Sequence, residues 1–496
     1  MNANQFISRR SFFARSALAA GGFAAAPAWL SAQSPTASTA TPAAPPTPAA
    51  HDATRTVARW VLSAQPANVP AAVRNEAVRS IVNWIGVAVG GSRHETVDVA
   101  ISALQPYSGP PKASLFGRSE RFDPLRAALI NGISSHVLDF DDTHLRTIIH
   151  PAGPVASALF ALAEDRNISG ADFVHAFILG AEVECRLGNA IFPSHYEMGW
   201  HITGTCGVFG AAAATGRILG LNEQQMLWAL GIAATQASGL KIMFGTMCKS
   251  FHPGRAAENG LLSALLAAKG FTSSEQSIEG REGYVYAASR EHNYDELLKG
   301  LGEHYEISLN TYKPFACGIV IHPTIDGMLQ LRAGDTLKAG DVESIAIRGN
   351  PQVLKLTGKK TPQTGLEGKF SIYHSAAVAL VRGYAGMKEY TDETVRDPQV
   401  IAVRDRVQVT VDPNVREDEV YLTVTTKDGR KLEKHVEHAI GSLGKPMSND
   451  DLEFKFLQLA DGVLPKAQAE KLLKSAWSIE SLADAGSIAR EGARAS

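Results

Sequence analysis

The sequence predicts a mainly α protein: a large all-helical domain carrying a smaller α+β lid, with C-terminal helices returning to the helical domain. Three observations point there. Apolar residues recur at helical spacing from about residue 53 to 311. Alternating stretches begin only after about Tyr312, at 342–347, 407–411 and 420–424. Helical spacing then resumes from Asp450 to Ala485, within a C-terminal segment 441–496.

The N-terminus stands apart. Ser8-Arg9-Arg10-Ser11-Phe12-Phe13 precedes an apolar run, Ala17 to Leu30, that ends in small residues near Ala32. A basic start, a short apolar stretch and a small-residue exit describe a secretory signal. The paired arginines resemble the twin-arginine type, which exports folded proteins. The run is too short to span a bilayer comfortably. Residues 1–32 are therefore expected to be removed, leaving a periplasmic protein without membrane attachment. Their loss takes three arginines and no acids, moving the formal charge from -2 to about -5. Residues 33–52 are rich in Pro, Ala and Thr, lack periodicity and read as a linker. With no long basic run, nucleic acid is an unsuitable partner.

In the helical segment 53–311, Ser169 and Asp172 have helix-start spacing before the stripe Phe173, Val174, Phe177, Ile178 and Ala181. Asn222 and Gln225 open another helix. GVFGAAAATGRILG (207–220) and LLSALLAAKG (261–270) are too apolar for surface helices and read as the buried centre of a bundle. In the lid, 312–440, Asp428-Gly429 sits where a hairpin turn is needed before Lys431 to Val436. Ser375 to Arg382 reads as a helix. Cys185, Cys206, Cys248 and Cys317 form no CxxC pair and read as buried small apolar residues.

The chemistry-bearing stretch is HVLDFDDTHLRTIIHPAG (136–153), with Asp139, Asp141, Asp142, His136, His144 and His150. Metal ligation is one reading, but the aspartates share no helical face and neither HExxH nor a calcium-loop spacing is present. Proton handling is the other. His150 before Pro151 suggests an imidazole held at a turn, with Asp139 placed to orient it. Taken singly, each acid reads more readily as a cap and each histidine as a local hydrogen-bonder. Three further clusters change that balance. His201 sits in a Gly/Thr turn opening an apolar helix, where anions collect. Lys249 and His252 precede another apolar helix, and Lys313, with His322 and Asp326, lies at the junction of the two domains.

HVLDFDDTH…HP, GWHITGTCG, GTMCKSFHPGRAA, KPFACGIVIH…D and GLEGKFSIYH together resemble the MmgE/PrpD family, in order, from about residue 55 to 490. That family includes 2-methylcitrate dehydratases, cis-aconitate decarboxylase and an iminodisuccinate epimerase. The resemblance implies a helical domain with an α+β lid, a homodimer, a site between the domains, and neither metal nor organic cofactor. Position by position it implies catalytic roles for Asp139, Thr143, His150, His201, Lys249 and Lys313. His252, His322, Tyr373 and His374 are further candidates for binding substrate. Several members carry a tyrosine at the third position after KFS, whereas this chain has His374 there and Tyr373 one place earlier. Neighbouring helical residues point about 100° apart, so the two do not interchange freely.

The implied chemistry is proton transfer next to a carboxylate of a small di- or tricarboxylate: dehydration or decarboxylation, with epimerisation as the alternative within the family. Lys249 and Lys313 would clamp carboxylates, Thr143 would add a hydrogen bond, and His150 and His201 would serve as base and acid. Outside this class, a non-catalytic carboxylate-binding protein needs the lysines but has no use for paired histidines. A metal hydrolase would lose activity to a chelator.

Overall fold

The computed structural model describes residues 52–334 and 337–494; the signal-like segment and nearly all of the linker lie outside the described residues. About the chain's middle run six long helices, Ala71–Gly91, Pro124–Val137, Ala152–Ala163, Gly170–Ile191, Ile202–Ile218 and Met247–Ala268. Every residue from Ile202 to Gly216 is buried, as its composition demands. Small residues let these helices touch backbone to backbone. A Cβ on Gly132 would sit 2.4 Å from the Gly254 Cα, and one on Gly180 would sit 2.7 Å from the Gly210 carbonyl oxygen. Trp84, Phe116, Phe160 and Phe173 fill the wider space beside them, with Trp84 and Phe160 stacked at 5.2 Å. Asn222 and Gln225 form a reciprocal capping box, and the Ser169 side chain accepts from the Asp172 amide.

The segment expected to be purely helical also carries two short strand pairs, Ala113–Ser114 with Arg121–Phe122 and Asp142–His144 with Asn310–Tyr312. Strands of two or three residues are too short to show an alternating pattern, and Thr143 pairs with a residue 168 positions away. The second pair fixes the site, because it lays Lys313 beside Asp139.

The lid is a four-stranded sheet in the order Val407–Val411, Val342–Gly349, Val420–Thr426, Lys431–Val436. Val342–Gly349 runs parallel to Val407–Val411 and antiparallel to Val420–Thr426. The expected hairpin closes through Gly429 at φ +87°, a left-handed conformation that favours glycine. Val420–Thr426 buries alternate residues, and the His322–Gly334 and Ile372–Arg382 helices share the core with that face. The Asn449–Ala460 helix returns to the helical body, where Phe456 and Leu459 press on Gly86 and Gly90. All four cysteines are free. Three are buried, but Cys248 is exposed, contrary to expectation, because it lies on the outward side of the first turn of Met247–Ala268. Among the described residues no helix is long and apolar enough to cross a membrane.

Candidate active site

The site is built on the turn that follows the Pro124–Val137 helix. Asp139 takes φ +50°, the left-handed region, which Asp tolerates better than most residues. Three successive carbonyls of this turn each accept a bond from a buried lysine. Lys369 Nζ lies 2.5 Å from the Leu138 oxygen, Lys313 Nζ 3.1 Å from that of Asp139, and Lys455 Nζ 2.6 Å from that of Phe140. Lys455 also donates to Asn83 Oδ1 and to the Lys313 carbonyl, and Lys369 to the Ala316 carbonyl at 2.7 Å. The turn is thus held from the lid and from the C-terminal helices at once.

The Asp139 carboxylate is ion-paired with Lys249 and with Lys313, whose Nζ stands 3.1 Å away. All three side chains are buried. Burial alone would push the Asp139 carboxyl up, but Lys249 and Lys313 outweigh it and hold the group well below the usual carboxylate range. Lys249 enters from the first turn of Met247–Ala268. Four residues on, Pro253 lacks the amide that would otherwise bond the Lys249 carbonyl.

His150 follows the Asp142–His144 strand. Its backbone amide donates to Thr203 Oγ1, and its Nδ1 is 2.6 Å from the Asp142 carbonyl oxygen. Since a carbonyl only accepts, Nδ1 carries the proton and Nε2 is left as an acceptor. His201 sits at the N-cap of Ile202–Ile218, with Nδ1 2.9 Å from Nδ1 of His252. One of these two nitrogens must donate and the other accept, so the pair is locked in opposite tautomers. Burial holds all three imidazoles neutral: His150 is pushed down to about 3, His252 to about 4, and His201 well below its ordinary range, with Lys249 adding to each effect.

Behind them lies His136, whose Nδ1 is 2.6 Å from Asp141 Oδ2. Its ring is 4.8 Å from that of His150 and 5.7 Å from that of His201. Asp141 is driven far below the carboxylate range by His136 and His150, against the opposing effect of burial. Next to it Asp142 moves the other way, up to about 7, through burial and then the neighbouring Asp141 charge. Adjacent carboxyls in one chain thus have opposite protonation preferences, a pattern typical of acid–base sites.

A cavity of about 40 Å³ lies among these groups, walled by Asp139, His150, His201, Lys249 and Lys313, with Ile319, Val320, Thr357 and Phe370 closing it from the lid side. A water needs roughly 10–15 Å³ of such space, so the site holds no more than a few waters as it stands. A larger cavity, about 520 Å³, lies beside His195, Trp200 and Tyr284. It has no lysine in its wall and His195 is already bonded at both nitrogens, so the chemistry belongs to the smaller one.

Five sequence-predicted residues, Asp139, His150, His201, Lys249 and Lys313, therefore meet at one cavity. Thr143 lies behind it, fully buried, with Oγ1 3.3 Å from His150 Nδ1; it supports the imidazole rather than facing substrate. His252 likewise supports His201. Asp139 does not orient His150 as expected, because the Asp142 carbonyl already holds His150 Nδ1; Asp141 Oδ1, 3.6 Å from His150 Nδ1, is the nearer acid. His322 is turned away, with Nε2 3.3 Å from the Cys317 carbonyl, in the wall of a separate cavity of about 260 Å³. Tyr373 packs on the lid core, and His374 Nε2 bonds the Glu389 carbonyl at 2.9 Å. The Ile372–Arg382 helix buries that face within the lid, so the lid's contribution from GLEGKFSIYH is Lys369 and Phe370 instead.

Sequence reasoning placed His136 and Asp141 in the chemistry-bearing stretch without giving them a role, and it missed Lys369 and Lys455. Lys455 had a visible signal: it interrupts the buried stripe Leu452, Phe456, Leu459. Spacing along the chain also hid a cluster that folding creates. Ligand-type atoms of His136, His150 and His201, and separately of His136, Asp139, Asp141 and His150, lie within 4.8 Å of one another. The ammonium groups of Lys249 and Lys313 at the same place oppose a further cation there.

Neutral imidazoles facing a lysine-held carboxylate, in a cavity walled on one side by an α+β lid, define an acid–base site suited to an anionic substrate. The chain belongs to the MmgE/PrpD family: its residues 55–297 match the MmgE/PrpD N-terminal domain and 315–479 the C-terminal domain. Among similar proteins are a cis-aconitate decarboxylase of Aspergillus terreus, 27% identical over 79% of this chain and 86% of its own length. A human cis-aconitate decarboxylase is 28% identical over 81% of this chain and 86% of its own. A 2-methylcitrate dehydratase of Cupriavidus necator is 25% identical over 67% of this chain and 74% of its own.

Proposed function

We propose that the protein is a cofactor-free lyase acting on a small tricarboxylate by proton transfer next to a carboxylate. The observation that carries this reading is the Asp139–Lys249–Lys313 ion cluster beside the neutral histidines His150 and His201. A substrate carboxylate takes over one or both ammonium groups from Asp139, and the same cations stabilise the charge that develops on the enolate. His150 presents an unprotonated Nε2 and serves as base. When the His252 Nδ1–H donates to His201, the His201 proton sits on Nε2 and the ring serves as acid. Loss of hydroxide from the carbanion is dehydration; departure of CO2 followed by protonation is decarboxylation.

Decarboxylation is the preferred outcome, because the relatives named as cis-aconitate decarboxylases align over 79–82% of this chain and the 2-methylcitrate dehydratases over 67–72%. The cavity is too small for a tricarboxylate as it stands, so the side chains of Ile319, Val320 and Phe370 must shift for entry. Export to the periplasm, supported by the Arg9-Arg10 segment, and assembly as a homodimer, supported by the family resemblance, belong to the same proposal.

Proton NMR of the protein starting near residue 33, incubated with cis-aconitate and with 2-methylcitrate in the presence of a chelator, tests it. Conversion of either acid supports the reading, and the product separates the two outcomes. Inversion at a carbon without loss of CO2 or water would replace it with epimerisation. Binding without conversion or proton exchange would replace it with a carboxylate-binding role.

A further inference from the structure

Among the described residues, the wall of the catalytic cavity holds one uncommitted polar group, the Tyr196 hydroxyl. Asp139, Lys249 and Lys313 hold one another, and His150 and His201 are assigned the proton transfers. The Thr357 hydroxyl donates to the Val353 carbonyl within its own helix. Tyr196 is buried, yet its hydroxyl makes no hydrogen bond among the described residues and is not sealed within protein, so it opens on the cavity. Nearly every buried polar group has a partner, and a donor that faces a cavity takes its partner from what fills it.

The ring is held in place. Tyr196 stands in the short helix Ser194–Glu197, just ahead of His201. The Gly199 amide donates to the Tyr196 carbonyl at 3.2 Å. Gly199 itself, at φ +107°, turns the chain so that its carbonyl accepts from the Lys241 amide at 2.8 Å. The Lys241 ammonium then lies 3.8 Å from the centroid of the Tyr196 ring, and the Phe192 ring lies 6.0 Å away. A cation over the ring face draws on its electron density and strengthens the hydroxyl as a donor. The phenol also keeps its proton: burial pushes it up to about 13, and the Asp139 and Glu417 carboxylates act in the same direction. At neutral pH Tyr196 can therefore donate to an anion without becoming one.

Counting charges indicates which anion. A tricarboxylate brings three negative groups, whereas the cavity wall carries two ammonium groups, Lys249 and Lys313, which Asp139 already shares. A third carboxylate enclosed without a donor would be strongly disfavoured. We propose that Tyr196 contacts the substrate, its hydroxyl donating to the carboxylate that Lys249 and Lys313 leave unpaired, and thereby selects tricarboxylates over dicarboxylates. This rests on the tricarboxylate reading given above and adds the residue that recognises the third carboxylate. A dicarboxylate engages the two lysines and leaves the phenol unpaired, and a site built to bond a polar group rejects the analogue that lacks it.

The test is Tyr196→Phe, with binding followed by calorimetric titration. The variant loses one oxygen, keeps the ring between Phe192 and Lys241 and breaks no hydrogen bond, so its melting temperature is expected to match that of wild type. The probes are tricarballylate and glutarate, which has the same carbon chain without the central carboxylate; neither requires turnover. The expected result is a Kd for tricarballylate raised about 10–100-fold in the variant, with the Kd for glutarate within about twofold. Unchanged tricarballylate binding would overturn the proposal, as would an equal loss for both acids. Wild type binding neither acid would strike the carboxylate reading itself, and the proposal with it, so the two failures are distinguishable. With a tricarboxylate that wild type converts, the loss is expected in KM rather than kcat. A fall in kcat at unchanged KM would overturn the binding role. Should the variant not fold, carbon NMR of wild type labelled at the tyrosine ζ-carbons replaces it. A signal that shifts with tricarballylate and not with glutarate is expected, and the absence of any such signal would overturn the proposal.

Discussion

Lys369, from the lid, donates to the carbonyl of Leu138, the residue that precedes Asp139, at 2.5 Å. The bond makes the catalytic turn and the lid one mechanical unit, because the same ammonium also holds the Ala316 carbonyl beside Lys313. Burial lowers Lys369 to about 8 while Asp139 favours its charged form. Lys369→Met is expected to strand two buried acceptors and cost about 1–3 kcal/mol. It is also expected to lower kcat by roughly tenfold or more as Asp139 shifts. Urea unfolding and steady-state kinetics on one preparation check both.

Removing the shared carboxylate is harsher. Asp139→Asn removes the carboxylate that Lys249 and Lys313 share and leaves only Asp141 Oδ1, 4.0 Å from Lys313 Nζ, a cost of about 3–5 kcal/mol when a buried pair is broken. A small polycarboxylate added in excess would take the empty place, so the variant is expected to regain more stability from ligand than wild type does. Thermal shift with and without citrate measures this difference.

The histidines give a pH signature. His150 is pushed to about 3 and His252 to about 4, while both titrate near 6.5 when unfolded. Between those limits the unfolded chain binds more protons, so these groups make stability rise with pH up to about 6.5 and fall as pH drops. Asp142, raised to about 7, acts in the opposite sense between about 4 and 7. His150→Gln is therefore expected to lose less stability than wild type from pH 6.5 to 4.5, and Asp142→Asn to lose more, as read by melting temperature.

Packing supports the site from behind. Gly132→Ala would place a methyl group 2.4 Å from the Gly254 backbone, forcing apart the helices that carry His136 and Lys249. Overpacking of this kind costs about 1–3 kcal/mol. A lower melting temperature and reduced kcat are expected together, even though residue 132 touches no cavity wall.

The legible parts of the molecule were those that repeat. Phe173 to Ala181 and Val420 to Val424 declare helix and strand by period, and the two domains and the returning helices follow from where the period changes. Asp139, His150, His201, Lys249 and Lys313 were identified through motif resemblance. Their distances were not legible, because the Asp142–His144 strand pairs with Asn310–Tyr312 across most of the helical domain and no local pattern encodes that contact. Misplacing Tyr373 and His374 has the same cause. Helical period tells which residues share a face, but not whether that face meets the cavity or the lid's own core. Lys369 and Lys455 were passed over because a lysine in sequence reads as solvated, and only the fold reveals carbonyls with no other donor.

One measurement tests the central claim most directly: deuterium incorporation from D2O into cis-aconitate or its product, with a chelator present, for wild type, His150→Gln and His201→Gln. The expected result is deuterium at a carbon next to a carboxylate with wild type, and a loss of about 10²–10⁴-fold in rate with each variant. Wild-type rates retained by both variants, or wild-type turnover abolished by the chelator, would contradict it.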